Sequence, residues 1–539
     1  MSAREPDSGE LYSTKGQSLS SIDCYDPASR KSLGEVIVDS PEAVNEAVAS
    51  ARAAQRAWGL ASLKARKQVL QRLLEYILEH ADEICSTVVS DSGKTRENAM
   101  LGEIWPVCEK LRWTIRHGEK HLRPERVSSG LMLHKKAAVE FHPLGVIGVI
   151  CPWNYPFQNI FGPAIPALMA GNAVVIKVSE WSAWSSGYFQ RIFDQVLTAA
   201  GFSPDLVKIV NGYAETGAAL VSSGVDSLVF TGSIENGRRV LAESAKNLTP
   251  VILELGGKDA MIVCDDADLE QSIHAAVNGV FINAGQNCMS AERLLIFDAV
   301  FDEFRDRVVD LTRTLTQGAS SEEELVDVGA IVSPIQLDLI EQMVDDAVAD
   351  GAEVLLGGRR TMSERGQYFE PTILTNVTPK MAIMQEELFG PVMILHRVRD
   401  EREAVQIANG TRFGLSSTVM SKDSKRAKRI AEQIIAGSTC INDFGLCYMV
   451  QDLPFGGAKS SGLGRLNGRD GLRACTNIKA TLSDRLPIHQ PNRLFPVRKG
   501  DYGLALNTIR LIYDKRATRR ISAFAEILKH SFSRFRRNR

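Results

Sequence analysis

This 539-residue sequence lacks several features that mark membrane-spanning, exported, disulfide-bonded or metal-binding proteins. It has no apolar run of about 18 residues, the length that a membrane-spanning helix needs. Its start, MSAREPDSGELYSTKG, has no apolar stretch typical of a signal peptide. The nine cysteines show neither CxxC nor Cys/His ligand spacing, so we expect no disulfide framework and no metal site. These absences favour a cytoplasmic protein.

A strong net charge is missing as well. The 63 basic and 65 acidic residues give −2, which predicts no nucleic-acid partner for the chain as a whole. A hydrophobic share of 44% is that of an ordinary globular protein, and the length allows two or three structural units. The average hides an asymmetry. Residues 491–539 hold 13 Lys/Arg against three acids, a net charge of +10, so the rest carries −12.

What the sequence does contain is an alternation of helices and short, continuously apolar strands. Ser40-Pro41-Glu42 has the features of a capped helix start. Strands are predicted at 145–150, 173–176, 206–210, 225–230, 260–263 and 294–296, and helices at 40–58, 64–80, 184–200, 268–284 and 335–349. This βαβ pattern predicts an α/β fold with two doubly wound parallel-sheet domains that meet near 255–258.

Cys288 is the first candidate for chemistry. It stands in Gly285-Gln286-Asn287-Cys288-Met289, where a glycine and amide residues suit a loop that a substrate can approach closely. An arbitrary cysteine is most often a buried packing residue, and we interpret the other eight in that way. A nucleophilic thiolate needs amide dipoles that lower its pKa, rather than apolar burial that raises it.

Glu254 and Asn154 could assist such a thiolate. Glu254 follows an apolar strand and precedes Gly256-Gly257. It is either a solvated surface acid or a carboxylate at a cleft, where desolvation would raise its pKa and suit a general base. Asn154 lies in the Pro-flanked turn 152–156, which could aim its amide at an oxyanion.

Two other segments indicate a nucleotide site. Gly232, Ser233 and Gly237 follow a predicted strand and precede a helix, an arrangement that binds phosphates although it is not GxGxxG. Lys177 and Glu180 follow another strand. Such residues are most often solvated, but in a doubly wound sheet they would lie at the crevice where nucleotides bind.

Taken together, these segments resemble the aldehyde dehydrogenase superfamily from about residue 20 to residue 485. The resemblance is highly specific because seven motifs agree in order and separation. They are PWNYP (152–156), KVSE (177–180), FTGSIENG (230–237), LELGGK (253–258), GQNC (285–288), EELFGPV (386–392) and PFGG (454–457).

The resemblance implies a role for each matching residue. Cys288 would be the nucleophile and Glu254 the general base, with Asn154 and the backbone N–H of Cys288 as the oxyanion hole. Lys258 would have a structural role only. The cofactor-binding residues that it implies are Lys177 and Glu180 at the adenosine ribose, Gly232, Ser233 and Gly237 near the dinucleotide, Glu387 and Phe389 at the nicotinamide ribose and ring, and Trp153.

The implied reaction is oxidation of an aldehyde to the carboxylic acid, through a thiohemiacetal and a thioester on Cys288. We expect NAD rather than NADP, because the Glu180 carboxylate can accept from ribose hydroxyls and repels a 2′-phosphate. The chain departs from the family pattern at Val178, where Pro is usual. It also has Leu466-Asn467 where Gly-Arg is commonly followed by Glu, so any role of that acid is lost.

Four aromatic residues bear on the choice of substrate. Phe157, Phe161, Phe444 and Tyr448 fall near segments that line the aldehyde funnel in the family, which favours an apolar, aromatic or fatty aldehyde. Aromatic residues at such positions are also ordinary core residues. No cluster of arginines indicates a carboxylate-bearing substrate.

The predicted organisation assigns every part of the chain, and the resemblance implies a homodimer or homotetramer. Residues 1–20 are expected to be a disordered N-terminus and 486–539 a basic amphipathic tail. The remaining parts are an NAD-binding domain (21–120 and 144–256), a catalytic domain (257–460) and a small arm of oligomerisation segments (121–143 and 461–485).

The basic tail runs past the usual end of the family. Ile521, Phe524, Leu528, Phe532 and Phe535 share one helical face, with arginines and lysines around it. Such a helix within 501–539 can lie on an anionic membrane, or it can dock on the enzyme's own acidic body or a sister subunit. The sequence leaves both possibilities open.

Two alternatives to aldehyde oxidation remain. A CoA-acylating relative would pass the thioester to CoA and would have less use for a water-activating base such as Glu254. A catalytically idle scaffold of the same fold has no need of Cys288, Glu254 and Asn154 together.

Overall fold

The computed structural model describes residues 20–321, 323–361, 366–486 and 495–537, with side chains described as far as His530 in the last range. The predicted disorder of residues 1–20 therefore lies outside the described residues, Ser20 excepted. The side chains of Phe532 and Phe535, which complete the predicted apolar face of the tail, lie outside them too.

Eighteen strands are present in the described ranges. They are β1 Ser21–Tyr25, β2 Ser32–Ile37, β3 Glu125–Val127, β4 Lys135–Pro143, β5 Val146–Ile150, β6 Ala173–Lys177, β7 Val207–Val210, β8 Ser227–Gly232, β9 Val251–Leu255, β10 Ala260–Val263, β11 Arg293–Phe297, β12 Glu353–Leu356, β13 Thr372–Thr375, β14 Val392–Val398, β15 Ser417–Met420, β16 Cys440–Ile441, β17 Gly462–Leu463 and β18 Thr476–Asp484.

The same ranges contain nineteen α-helices. They are α1 Pro41–Leu60, α2 Leu63–Glu79, α3 Ala81–Ser92, α4 Arg96–Ala99, α5 Trp105–Leu122, α6 Pro156–Ala170, α7 Ser186–Ala199, α8 Ala214–Ser222, α9 Ile234–Ala245, α10 Leu269–Phe281, α11 Asp298–Arg313, α12 Pro334–Ala349, α13 Ala382–Gln385, α14 Glu401–Ala408, α15 Ser424–Ala431, α16 Leu446–Met449, α17 Gly468–Ala474, α18 Asp501–Tyr513 and α19 Ala517–Arg537.

The first large sheet has the strand order β17-β9-β8-β5-β6-β7. Its strands pair in parallel, except that β17 runs antiparallel to β9 at the edge. All five residues of β6 are buried, as a continuous apolar run predicts for a strand covered on both faces. Because β5 is followed along the chain by β6 on one side and later by β8 on the other, the strand order reverses at β5.

The second large sheet has the order β12-β13-β14-β11-β10-β15-β16. It too is parallel apart from an edge strand, β12, which pairs antiparallel with β13. The α/β fold with two doubly wound sheets is therefore confirmed, with the correction that each sheet is mixed. The two-residue β17 and the partly exposed β12 lack the apolar run on which strand prediction relied.

The chain divides into two compact units. The first comprises residues up to Glu125 together with Val139–Ala480, and it contains both large sheets. The second comprises Arg126–Ala138 and Thr481–Arg539. The predicted domain boundaries remain predictions, although β17 belongs to the first sheet while lying in the segment 461–485 assigned to oligomerisation.

The second unit contains the tail, in which α18 and α19 pack on each other. Gly500 precedes α18 with φ +99°, a left-handed conformation that suits glycine. None of the described helices is long and apolar enough to cross a membrane.

Candidate active site

The carboxyl ends of neighbouring strands bring the predicted residues together at one edge of the first sheet. β5 leads into Trp153 and Asn154, β8 into Ser233, and β9 ends with Glu254 and Leu255. Since β5 lies between β6 and β8, this edge is also where the strand order reverses. Ligands of doubly wound sheets bind at such a position.

The glycines after Glu254 allow the two halves of the site to approach closely. A Cβ atom on Gly257 would overlap the carbonyl oxygen of Cys288, and one on Gly256 would overlap the Glu387 carboxylate. The Gly257 N–H donates a 3.0 Å hydrogen bond to Glu387. The double glycine therefore forms a turn and also allows the Glu254 segment to contact the cysteine loop.

The cysteine loop begins with an unusual left-handed turn. The helix predicted for 268–284 ends at Phe281, because Asn283 and Ala284 both have φ +53°. Gly285 continues with φ +73°, and a Cβ there would overlap the Gly390 carbonyl. Left-handed conformations of non-glycine residues are strained and concentrate at functional sites.

Gln286 holds this turn from within. Its side chain is completely buried. The Gln286 amide donates to the carbonyls of Asn283 and Ala330, each at 3.0 Å, and accepts from the Val332 N–H at 2.9 Å. All these groups are satisfied, so Gln286 fixes the backbone that leads to Cys288.

Asn154 is buried and fixed against the same loop. Its amide nitrogen donates to the Gln286 carbonyl at 3.1 Å, and its oxygen accepts from Asn159 at 3.2 Å. Asn283 donates to the Asn154 backbone carbonyl at 3.0 Å. An amide has two N–H donors, so one remains to meet an oxyanion in the adjoining cavity.

A buried ion pair that the sequence reasoning missed supports the Asn154 loop. Lys94 and Glu103 are 2.7 Å apart with fully buried side chains. Lys94 also donates to the Asn154 carbonyl at 2.8 Å, and Glu103 accepts from the N–H groups of Phe157 and Gln158 at 2.9 Å. No sequence signal distinguishes these two charged residues from solvated ones.

The Cys288 thiol and the Glu254 carboxyl influence each other's pKa. Burial raises the pKa of Glu254 to about 7, with partial offset from Cys288 and Thr231. Burial also raises the pKa of Cys288 well above its usual value, and the nearby Glu254 raises it further. The expectation that amide dipoles lower the pKa of this thiol is therefore wrong for the ligand-free protein, because desolvation and Glu254 dominate.

These residues line one cavity of about 890 Å³ in the first unit. Its wall includes Cys288, Glu254, Asn154, Trp153, Gly232, Ser233, Glu387 and Phe389. Phe444 and Tyr448 also line it. The expectation for Phe157 and Phe161 is wrong: both are wholly buried in the core, where their rings pack on each other and on Phe189.

Comparison with known proteins agrees with this geometry. The sequence model of the aldehyde dehydrogenase family matches residues 13–481. An aldehyde dehydrogenase-like protein of Schizosaccharomyces pombe is 38% identical, covering 86% of this chain and 90% of its own. The 4,4'-diapolycopene aldehyde oxidase of Methylomonas sp is 35% identical, covering 90% of each.

The chain belongs to the aldehyde dehydrogenase family.

The fold of the chain is also similar to that of a solved structure. Betaine aldehyde dehydrogenase of Staphylococcus aureus in complex with NAD+ has a TM-score of 0.82 and 30% identity, covering 88% of this chain and 94% of that one. The resemblance drawn from the seven motifs is thereby confirmed.

The nicotinamide-side residues predicted for an aldehyde dehydrogenase come together. The Trp153 and Phe389 rings meet edge to face with centroids 5.4 Å apart. Phe389 has φ +56°, and its N–H and that of Leu388 donate to Glu292. Glu292 also pairs with buried Lys258, so the predicted structural role of Lys258 consists in anchoring the loop that carries Phe389.

Lys177, Glu180 and Gly237 do not line the cavity, although they belong to the same sheet edge. The Lys177 ammonium is 3.6 Å from the Glu180 carboxylate, whose side chain is 33% exposed. A Cβ on Gly237 would lie 2.7 Å from Leu255, so this glycine allows close packing of α9 on β9. Ser233 caps α9 by accepting from the Asn236 N–H at 3.3 Å.

This arrangement fits a dinucleotide. The first turn of α9 and the Ser233 cap face a cavity at the strand reversal, and a helix N-terminus favours phosphate. Lys177 and Glu180 offer a donor and an acceptor to a ribose beyond it. Among the described residues, no group of three Cys, His, Asp or Glu side chains could hold a metal ion.

Two of the cysteines that we interpret as packing residues in the sequence contact each other directly. Cys440 donates to Cys447 with 3.0 Å between the sulfur atoms, and Cys447 is only half-buried. Their separation of seven residues gave no signal in the sequence, because β16 and α16 bring them together.

Proposed function

We propose that this enzyme oxidises apolar, aromatic or fatty aldehydes to the carboxylic acids with NAD, through a covalent intermediate on Cys288. The observation that carries the proposal is the convergence of Cys288, Glu254 and Asn154 on one cavity, with one Glu254 oxygen buried and without a partner. An unpartnered carboxylate oxygen beside a thiol is available to accept a proton.

The first step forms a bond between the Cys288 sulfur and the aldehyde carbon. Burial and the neighbouring Glu254 raise the pKa of the Cys288 thiol. Glu254, whose own pKa burial raises to about 7, interacts with the thiol and is placed to accept its proton. The carbonyl oxygen then becomes an oxyanion. The Asn154 amide and the Cys288 N–H would donate to that oxygen.

The later steps use the same residues. Bound NAD supplies the acceptor for the hydride that leaves the thiohemiacetal carbon. Glu254 releases the thiol proton to solvent and then takes a proton from water as the water oxygen bonds to the thioester carbon. The carbon–sulfur bond breaks, the acid leaves, and the proton on Glu254 returns to the Cys288 sulfur. Covalent attachment fixes the aldehyde in the cavity before oxidation, which removes much of the entropic cost of orientation.

NAD as the cofactor is supported by Glu180, which begins a short 3-10 helix just after β6, and by the NAD+ complex of the similar S. aureus enzyme. An apolar substrate is supported by Phe444 and Tyr448 in the cavity wall. The homodimer or homotetramer and the cytoplasmic location remain predictions.

An assay of NADH absorbance with straight-chain and aromatic aldehydes tests the reaction. We expect turnover with NAD that does not require CoA, and free acid as the product. A product found only as the CoA thioester would support the acylating alternative, and no turnover with any aldehyde would support an idle scaffold.

We also propose that the tail contacts an anionic membrane surface. In the second unit, Ile521, Phe524 and Leu528 are 69%, 50% and 42% exposed, and Tyr502 and Tyr513 are exposed as well. Exposed apolar side chains on a segment of net charge +10 match an interfacial helix.

Vesicle pelleting tests this with a matched pair of full-length variants. Phe524→Asp should lower recovery with anionic vesicles, because it places a negative charge on the contact face. Leu325→Asp is the control, since Leu325 is 78% exposed on the first unit. Equal recovery of wild type in the supernatant with anionic and zwitterionic vesicles would overturn the membrane proposal.

A further inference from the structure

A buried lysine in the cavity wall has no part in the reaction described above. Lys110 lies on α5 and is only 6% exposed. Its ammonium donates a hydrogen bond to the Asn467 side-chain oxygen, and no acidic side chain among the described residues is paired with it. An ammonium has three N–H donors, and a buried charge without a counter-charge is costly.

Asn467 supplies a second unsatisfied donor at the same place. It is buried, and its amide nitrogen has no hydrogen-bond partner. Its φ of +60° holds the residue just before α17, a left-handed conformation that asparagine tolerates better than most residues. The neighbouring Leu466, which replaces the acid common in the family, is apolar and lines the cavity too.

Apolar surface connects these donors with the reacting residues. Lys110 lies 5.8 Å from the centre of the Tyr448 ring. Tyr448 lines the same cavity as Cys288 and Glu254, and burial raises its pKa, with smaller contributions from Glu254 and Cys288. Pro106 and Pro163 line the same cavity. A ligand that follows this wall from Cys288 would pass apolar side chains and then meet two buried donors.

We infer that Lys110 and Asn467 form a binding subsite for the carboxylate at the far end of an apolar aldehyde chain. This inference rests on the proposed function and narrows it to aldehydes that end in an anionic group. A carboxylate has two oxygens, so it can accept from the Lys110 ammonium and the Asn467 amide together. It would also provide the counter-charge that Lys110 lacks.

Kinetics with matched aldehydes test the subsite. Straight-chain alkanals of about 4 to about 12 carbons are compared with ω-oxo carboxylates and ω-hydroxyalkanals of equal length, because each CH2 that the apolar wall buries contributes about 0.8 kcal/mol. At the best length, the carboxylate should raise kcat/KM at least about tenfold over the methyl-ended aldehyde, because hydrogen bonds to charged groups are the strong ones.

Variants separate a specific role from a structural one. Lys110→Met should remove the preference for the carboxylate while leaving alkanal turnover within about threefold, and Asn467→Ala should reduce the preference in part. Lys120→Met is the matched control, because Lys120 lies on the same helix and is exposed. A general loss of folding would lower both substrates equally and leave their ratio unchanged.

A binding measurement independent of turnover completes the test. Decanoate should raise the melting temperature of wild type more than decanol does, and Lys110→Met should abolish that difference. The subsite is overturned if wild type has no preference for the carboxylate at any length, or if Lys110→Met keeps the ratio and the decanoate effect. Failure to oxidise any aldehyde would instead refute the proposed function, and decanoate binding would still decide the subsite.

Discussion

Replacement of Glu254 by Gln is the change for which the structure makes the sharpest prediction. Burial raises the pKa of this carboxyl from 4.5 to about 7, which corresponds to about 3 kcal/mol in favour of the neutral form. Only the ionised form can accept a proton from water. Turnover limited by thioester hydrolysis should therefore rise about tenfold per pH unit below 7 and level off above it.

Glu254→Gln should have a lower kcat than wild type and should no longer show this dependence of turnover on pH. Glu254→Gln should lower kcat by about 100- to 10,000-fold, the usual contribution of a general base. Steady-state assays between pH 5.5 and 9 measure the profile, and a rapid-quench experiment separates hydrolysis from the first burst of NADH. A variant that keeps the wild-type profile and rate would refute the assignment of Glu254 as the base.

The same substitution makes a prediction for stability, with a definite sign. The folded-state pKa of Glu254 is above the unfolded value, so the folded protein binds this proton more tightly. Stability from this group is fully present below pH 4.5 and is lost as the pH rises through 7. Glu254→Gln should therefore gain stability relative to wild type between pH 5 and 8, by at most about 3 kcal/mol. Denaturant titrations of both proteins at pH 5 and pH 8 measure this difference in the free energy of unfolding. A difference that does not grow from pH 5 to pH 8 would contradict the reasoning.

Three further predictions follow from single side chains. Asn154→Ala should lower kcat by about 100- to 1,000-fold with little change in the KM for NAD, because an oxyanion donor acts mainly in the transition state. An unchanged kcat would exclude that role. Gly285→Ala should lower the melting temperature and the activity, because its Cβ would overlap Gly390 at a positive φ, whereas Gly217→Ala, in open space on α8, should be tolerated. Glu180→Ala should raise kcat/KM for NADP relative to NAD, and a higher value with NADP than with NAD in wild type would overturn the cofactor assignment.

Much of the fold could be predicted because buried parallel strands are marked by continuous apolar runs. The runs predicted as strands at 145–150 and 173–176 are central strands of the first sheet, with bounds that agree within one residue at each end. Edge elements were not predictable in this way. The strands β12 and β17 are short or partly exposed, and their pairing depends on distant chain segments rather than on local pattern.

The candidate site shows the same division between local and distant causes. Cys288, Glu254 and Asn154 could be found because glycine- and proline-rich motifs mark their loops. The ion pair of Lys94 and Glu103, which supports the Asn154 loop, could not be found, because the fold buries two charged residues that look solvated in the sequence.

Two of the corrected expectations also concern burial. A one-dimensional pattern could not tell that Phe157 points into the core while Tyr448 lines the cavity. Nor could the amide neighbours of Cys288 reveal that desolvation and Glu254 together raise the pKa of the thiol.

The central claim is that the substrate carbon becomes covalently bound to the sulfur of Cys288. Wild-type enzyme, mixed with NAD and an oxidisable aldehyde, quenched in acid within the first turnover and digested, should yield the peptide of Cys288 with the mass of the acyl group added. Cys288→Ser should show neither this adduct nor turnover. An unmodified Cys288 peptide during NADH formation, or a Cys288→Ser variant with wild-type turnover, would contradict the account.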